Sequence, residues 1–172
     1  MRLQEVAEDD ITFMEEDSDG LLLPHNDALV ISLNVLDFKI RRVLVDPESS
    51  TNIIQWGVLE QAKLNGIIIP AIKLPTRCNL ASVTTRGEIL LSMNTEEVMK
   101  TTFFEVVDGD MGYNNILGRL WLHEMKVVPS TYHQVLKFTT SEGVKQIRGD
   151  QPAAREMNAI SASSSKGKEH AA

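Results

Sequence analysis

The stretch VLVDPESS at residues 43–50 decides how the rest of the sequence is interpreted. Its three apolar residues, 43–45, indicate the end of a strand, and Asp46 follows them directly. On local grounds this aspartate favours a helix start, because Asp is a preferred N-cap, Pro47 suits the first helical position and Glu48 suits the first turn. A carboxylate at a strand end is also a candidate catalytic group, so the stretch alone leaves two interpretations open.

Strand patterns dominate the chain on both sides of this stretch. Upstream, apolar residues alternate over 29–35, Leu36-Asp37 can turn the chain, and 38–45 is the second strand of a predicted hairpin. Downstream, apolar residues recur at helical spacing over 53–62. Further short strands are predicted at 67–72, 88–91, 101–107 and 115–118, a brief helix at 120–125, and a last hairpin at 133–138 and 144–147. Periodicity therefore predicts one mainly β domain with one or two short helices.

Composition divides the chain into three parts. Residues 5–19 contain eight acidic side chains and no basic one, which predicts a solvated, disordered acidic arm over residues 1–27. Apolar content falls after residue 149 and the end is rich in Ser, Lys, Gly and Ala, which predicts a disordered tail over residues 149–172. The folded domain is expected over residues 28–148.

Charge and composition argue against several functions. The chain has 172 residues, a net charge of -7 and a pI near 5.1, which disfavour binding to nucleic-acid phosphates. No apolar run approaches the roughly 20 residues of a membrane span, and the N-terminus has no signal-like pattern. The single cysteine, Cys78, and four scattered histidines predict no disulfide, no metal site and no cofactor. The cytoplasm is the expected location by default.

Several tracts, taken in order, resemble one protein family. Residues 43–50 resemble the hydrophobic-Asp-x-Gly-Ser-Ser signature of retropepsins, and Asn115-Ile116-Leu117-Gly118-Arg119 is similar to an Ile-Leu-Gly-Arg motif of the same domain. The flanking tracts that resemble plant polyproteins are residues 24–31, 128–133, 136–138 and 147–151. Over residues 11–160 the chain therefore resembles the retropepsin-like aspartic protease region of a plant gypsy-type LTR retrotransposon polyprotein.

This resemblance implies a closed, six-stranded type of β-barrel subunit that carries half of an active site. Asp46 would be the catalytic residue, in an active-site loop formed by Pro47, Glu48, Ser49 and Ser50. A homodimer would bring two such aspartates together, and the pair would activate a water molecule to cleave a polypeptide substrate. A flap over the bound peptide would lie near residues 77–88 and include Leu80 and Gly87, and the barrel motif would comprise Ile116, Leu117, Gly118 and Arg119.

Some of these residues keep alternative interpretations. Gly118 is either a glycine that the barrel requires or an ordinary strand-end glycine. Arg119 either holds the dimer by pairing with a carboxylate or faces solvent. Ser49 and Ser50 also suggest a serine hydrolase, but no Gly-x-Ser-x-Gly elbow surrounds them.

The chain departs from the family pattern at the centre of its signature. Glu48 stands where the family has glycine, so a dimer would crowd charged side chains at one axis, which raises carboxyl pKa values or separates the subunits. Pro47 removes a backbone N–H and a hydroxyl beside Asp46. Leu80 replaces a flap glycine, and Leu120 replaces a proline. The alternative to an active endopeptidase is therefore an inactive folded remnant that binds peptides or self-associates; an unrelated structural protein is the third possibility.

Overall fold

The computed structural model describes residues 11–64, 66, 69–70, 84–109 and 111–157. The strands are β1 (Val30–Val35), β2 (Phe38–Val45), β3 (Ile53–Gln55), β4 (Ile69–Pro70), β5 (Thr84–Thr95), β6 (Val98–Asp108), β7 (Asn115–Leu117), β8 (Val128–Ser130), β9 (Val135–Thr140) and β10 (Gly143–Arg148). The helices are a 3₁₀ turn (Glu15–Ser18), α1 (Trp56–Gln61), α2 (Arg119–Met125) and α3 (residues 151–157).

Six strands form a closed barrel. Their order is β1, β2, β7, β3, β6 and β5, and the ring closes because β1 also pairs with β5. The closure joins Asn34 to Asn94 and Val35 to Met93. β4 extends the ring at β5, and β8, β9 and β10 form a separate antiparallel sheet. The prediction of a mainly β protein with a closed barrel is therefore confirmed, as are the hairpins formed by β1–β2 and by β9–β10.

The short strand β7 organises the part of the barrel next to Asp46. It lies between β2 and β3, parallel to β2 and antiparallel to β3. Since β2 and β3 follow one another in sequence, the connection between them, residues 46–52, must pass over the end of β7. At that end Val45 pairs with Leu117, the last residue of β7. Asp46 therefore lies at the junction between β7 and α2.

A continuous apolar core fills the barrel and extends under the second sheet. Trp121, Leu122 and Met125 on one side of α2 are buried in it, as are Leu136 and Phe138 of β9. Burial of each such large side chain contributes about 1.5–3 kcal/mol. Helix α2 is thus fixed by its side chains as well as by its backbone, and the loop that contacts its first residue rests on a rigid support.

Residues 53–62 do not form one helix, contrary to the prediction from their spacing. Ile53 and Ile54 belong to β3, and α1 begins only at Trp56. Ile53 pairs with Glu105 of β6 on one side and Ile116 of β7 on the other, so the tertiary pairing of the sheet overrides the local helical spacing.

Side chains near both ends of the domain form contacts with the rest of the fold. In the N-terminal segment, the Asp17 carboxylate pairs with the Lys137 ammonium of β9 at 2.9 Å. At the other end, the Gln151 side chain accepts a bond of 2.8 Å from Leu22 N–H and donates one of 3.1 Å to Leu22 C=O. These contacts give polar residues of both segments partners in the fold, and the bounds of a disordered arm and tail stay predictions. Residues 1–10 and 158–172 lie outside the described residues.

Candidate active site

Asp46 lies in a tight turn at the end of β2. Its backbone N–H donates to Leu117 C=O at 2.9 Å, and its own C=O accepts from Ser49 N–H at 3.1 Å. One carboxylate oxygen accepts a bond of 3.0 Å from Glu48 N–H, and the residue is half-buried. No helix begins here, so the interpretation of Asp46 as a helix N-cap is wrong. The turn leaves the other carboxylate oxygen without a bond from the loop backbone.

Gly118 forms the surface on which this loop lies. A Cβ atom at Gly118 would be 2.2 Å from Thr51 O and 2.6 Å from Ser49 O, distances at which atoms overlap. The backbone N–H of Arg119 donates to Ser49 C=O at 2.8 Å, and Gly118 N–H donates to the Asn52 side chain at 3.0 Å. The close approach accounts for glycine at this position through packing, which an ordinary strand-end glycine would not require.

A second apolar cluster lies on the face of the sheet opposite the main core. Side chains alternate along a strand, so Leu44, two residues before Asp46, points to the face opposite the main core. Ile116 pairs with Leu44 on one side and Ile53 on the other. The cluster comprises Ile53, Val107 and Ile116, with Leu44 and Met111 packed against them. The cluster is therefore separate from the core of the barrel, and Leu44 at its border is two residues before Asp46 in the sequence.

The two residues that depart from the signature face outward. Pro47 and Glu48 are exposed, and neither has a positive φ angle. The turn in this single chain therefore accommodates glutamate without backbone strain. Any conflict that Glu48 causes must come from a second molecule that approaches the loop.

The remaining predicted site residues of the loop and the barrel motif, Ser49, Ser50 and Arg119, have contacts of their own. The Ser49 hydroxyl donates to Thr51 C=O at 2.7 Å, which closes the loop on itself, and Ser50 is half-buried. Arg119 is exposed and forms no ion pair with a carboxylate in the described part of this chain. Its role in a dimer stays a prediction.

The predicted flap is described only in part. Gly87 lies in β5 with φ +149°, next to an irregularity of the pairing with β6 between Thr85 and Gly87. This glycine therefore bends the strand that leads out of the expected flap region. Leu80 lies outside the described residues.

Sequence reasoning missed Asn52, the last residue of the loop. It is fully buried, and its amide bonds to Thr102 and Phe103 of β6 and to Gly118 at the start of α2. A polar residue placed directly before the apolar pair Ile53-Ile54 was the available signal, but a sequence does not reveal which partners such an amide finds.

The described residues show neither a cluster of metal-binding side chains nor a helix that could cross a membrane. They contain no group of three or more His, Cys, Asp and Glu side chains that could hold a metal ion. None of their helices has the length and hydrophobicity needed to cross a membrane. A cavity of about 290 Å³ lies between β2 and α1, lined by Ile40, Val58 and Leu59 among others, and Asp46 does not line it.

The barrel and its loop define the fold of retropepsin-like aspartic protease domains. The sequence matches no protein-family model and no curated protein. Among solved structures, the retroviral protease-like domain of Ddi1 from Leishmania major superposes with a TM-score of 0.61 at 13% identity, covering 73% of this chain and 96% of that chain. A retropepsin-like aspartic protease from Rickettsia conorii gives 0.47 at 15% identity, with 70% and 81% covered. The EIAV protease in complex with an inhibitor gives 0.43 at 15% identity, with 64% and 99% covered.

Proposed function

We propose that this chain is one subunit of a homodimeric aspartic endopeptidase, with Asp46 as its catalytic residue. The observation that carries the proposal is the position of Asp46 in a barrel with the retropepsin-like fold. Its carboxylate lies at the end of β2, in a loop that crosses β7 and is bonded to the start of α2.

The chemistry requires a second carboxylate. Two carboxylates about 3 Å apart cannot both ionise, so the pair shares one proton and titrates as a unit. The ionised member removes a proton from a water molecule, which attacks the peptide carbonyl, and the protonated member donates a hydrogen bond to the carbonyl oxygen. A second copy of the chain supplies the partner aspartate on a twofold axis.

The second apolar cluster suggests how a polypeptide would bind. Ile116 and Ile53 are each 8% exposed, so their surfaces are nearly closed in the single chain, and Leu44 and Met111 remain partly exposed at their border. An apolar side chain next to the scissile bond would extend this cluster and remove more of it from water.

The proposal includes an origin in the protease region of a plant gypsy-type retrotransposon. It is supported by the tracts at residues 24–31, 43–50, 115–119 and 128–151, which lie in the order that such polyproteins have. The cytoplasmic location stays a prediction.

An inactive remnant is the second candidate, and Glu48 is the observation that favours it. The Glu48 side chain is exposed at the loop that a partner would approach. Two Glu48 and two Asp46 carboxylates near one axis would repel each other, which weakens the dimer or shifts its titration. Such a chain would keep the barrel and bind peptides or self-associate without cleaving.

Digestion of a mixed peptide library at pH about 5 and about 7, read by mass spectrometry, separates the two candidates. The wild-type chain is compared with Asp46→Asn and with Asp37→Asn, a matched control because Asp37 is exposed in the β1–β2 turn. Cleavage that is lost in Asp46→Asn and kept in Asp37→Asn supports the endopeptidase. Absence of cleavage in a folded wild-type sample refutes it and leaves the remnant, and equilibrium sedimentation of the same sample shows whether it self-associates.

A further inference from the structure

The buried amide of Asn52 joins the end of the loop formed by residues 46–52 to β6 and to the start of α2. Asn52 is 0% exposed. Its Oδ1 accepts from Gly118 N–H at 3.0 Å, at the start of α2. Its Nδ2 donates to Phe103 C=O at 3.0 Å and to the Thr102 hydroxyl at 3.3 Å, both on β6. The bonds to Gly118 and to Thr102 are buried, so the loss of either one leaves a buried polar atom unpaired.

A carboxylate at the far end of α2 completes this arrangement. The Thr102 hydroxyl, on a residue that is 1% exposed, donates to Glu124 Oε1 at 3.1 Å. The hydroxyl proton is directed to the carboxylate, so its lone pairs remain to accept from Asn52. The bonds therefore run in one direction, from amide to hydroxyl to carboxylate, and each polarises the next.

The network fastens the loop to both ends of one short helix. Gly118 precedes the first residue of α2, and Glu124 is the residue before its last. The backbone C=O of Asn52 also accepts from Glu105 N–H at 2.8 Å, so this end of the loop is fixed to β6 by main chain and side chain together. The other end of the loop, at Asp46, depends on Leu117, which is directly before Gly118.

We propose that Asn52 is a positioning residue for Asp46, acting through Gly118 and held in orientation by Thr102 and Glu124. The inference rests on the proposed function, since it concerns the placement of the same carboxylate. Asn52 touches neither substrate nor water in this role. It fixes the position of the loop relative to the β7–α2 junction. The position of the Asp46 turn relative to that junction is fixed in consequence.

The test variant is Thr102→Val, which removes the hydroxyl and keeps the branched shape. Thr101→Val is its matched control, because Thr101 is the neighbouring residue on β6 and its hydroxyl contacts Ser92 on the exposed face. Thr102→Ser restores the hydroxyl and should rescue the wild-type behaviour. Asn52→Asp is the stronger variant, since a carboxylate can still accept from Gly118 N–H but cannot donate to Phe103 C=O.

Two readouts are measured on the purified full chain. Amide hydrogen exchange reports on Gly118 and Arg119, whose N–H groups bond to the loop, and β9–β10 amides serve as an internal reference. In Thr102→Val we expect exchange at Gly118 and Arg119 to quicken by about tenfold, with the β9–β10 amides unchanged. In peptide cleavage we expect kcat to fall by about tenfold and KM to stay within about twofold, because misplacement of a reacting group lowers the rate of chemistry more than binding.

The outcomes distinguish the inference from the proposed function. If the wild-type chain cleaves nothing, the proposed function fails, and the exchange result alone decides whether the network fastens the loop. Equal exchange at Gly118 in Thr102→Val and Thr101→Val overturns the inference. So does an unchanged kcat in an active enzyme, or a loss of kcat that only follows a lower folded fraction in a denaturant titration of the same sample.

Discussion

Replacement of Gly118 by alanine tests whether the loop depends on close contact with the β7–α2 junction. The added Cβ would lie 2.2 Å from Thr51 O, 2.6 Å from Ser49 O and 2.9 Å from Thr51 C. Ordinary contact begins at 3.4 Å, so the Thr51 oxygen must retreat by 3.4 minus 2.2, or 1.2 Å. These are backbone atoms, which cannot rotate away as the end of a side chain can. The loop must move as a unit.

The energetic cost of this shift follows from the contacts it disturbs. Overpacking of a well-packed site costs about 1–3 kcal/mol, and the shift also weakens the bonds from Gly118 N–H to Asn52 and from Arg119 N–H to Ser49, each of which contributes about 1 kcal/mol. We expect a total loss of about 3 kcal/mol. With an m value of about 2 kcal/mol/M, the urea midpoint should fall by about 1.5 M.

Gly57→Ala is the matched control for this experiment. Gly57 lies in α1, its Cβ would meet nothing within 4 Å, and alanine is the better helix former by about 0.8–1 kcal/mol. We therefore expect a small increase in the urea midpoint for Gly57→Ala, at the same protein concentration. A Gly118→Ala midpoint that equals the wild-type midpoint would show that the loop does not press on this glycine, and the packing argument for the site would be wrong.

Three further predictions concern other parts of the chain. Glu48→Gly removes charge from the loop, and we expect tighter self-association by sedimentation and about tenfold faster cleavage at pH about 5; weaker association would contradict the crowding argument. Glu96 and Glu97 both have positive φ in the two-residue β5–β6 turn, so Glu96→Asn with Glu97→Gly should raise stability by about 1 kcal/mol, seen as a higher melting temperature. The hydrogen bond from Lys137 lowers the pKa of Asp17 below its ordinary 3.8, so the stability that this carboxylate contributes is present above pH 3.8 and lost as pH falls through the lowered value. The difference in urea midpoint between wild type and Asp17→Asn should therefore be constant near neutral pH and vanish in strong acid; a difference that persists there would refute the linkage.

The strands were accessible from the sequence because most of them bury one face. Alternation over residues 29–35 placed β1, and the apolar run 43–45 placed the end of β2 next to Asp46. The helix over 120–125 was also predicted, and the structure begins it one residue earlier. In each case a single element carries its own pattern, which a reader of one sequence can see.

The failures have a common physical origin in partners distant along the chain. Ile53 and Ile54 have helical spacing but become a strand between β6 and β7. Composition likewise does not reveal that Asp17 and Gln151 contact Lys137 and Leu22, which lie more than a hundred residues away along the chain. The roles of Asp46 and its loop neighbours stay predictions, since the position of a carboxylate shows where chemistry could occur and an assay shows whether it does.

A short pairing between β1 and β5 forms the joint that closes the barrel. β1 meets β5 at two residue pairs, Asn34 with Asn94 and Val35 with Met93, whereas β5 and β6 are paired along almost their whole length. Breathing of the native state should therefore begin at short pairings such as this one, where few bonds must break. An opened joint exposes two unpaired strand edges, and such edges recruit strands from neighbouring molecules. The resistance of this protein to aggregation therefore depends on how well such a short pairing holds, and a stable ring elsewhere does not replace it.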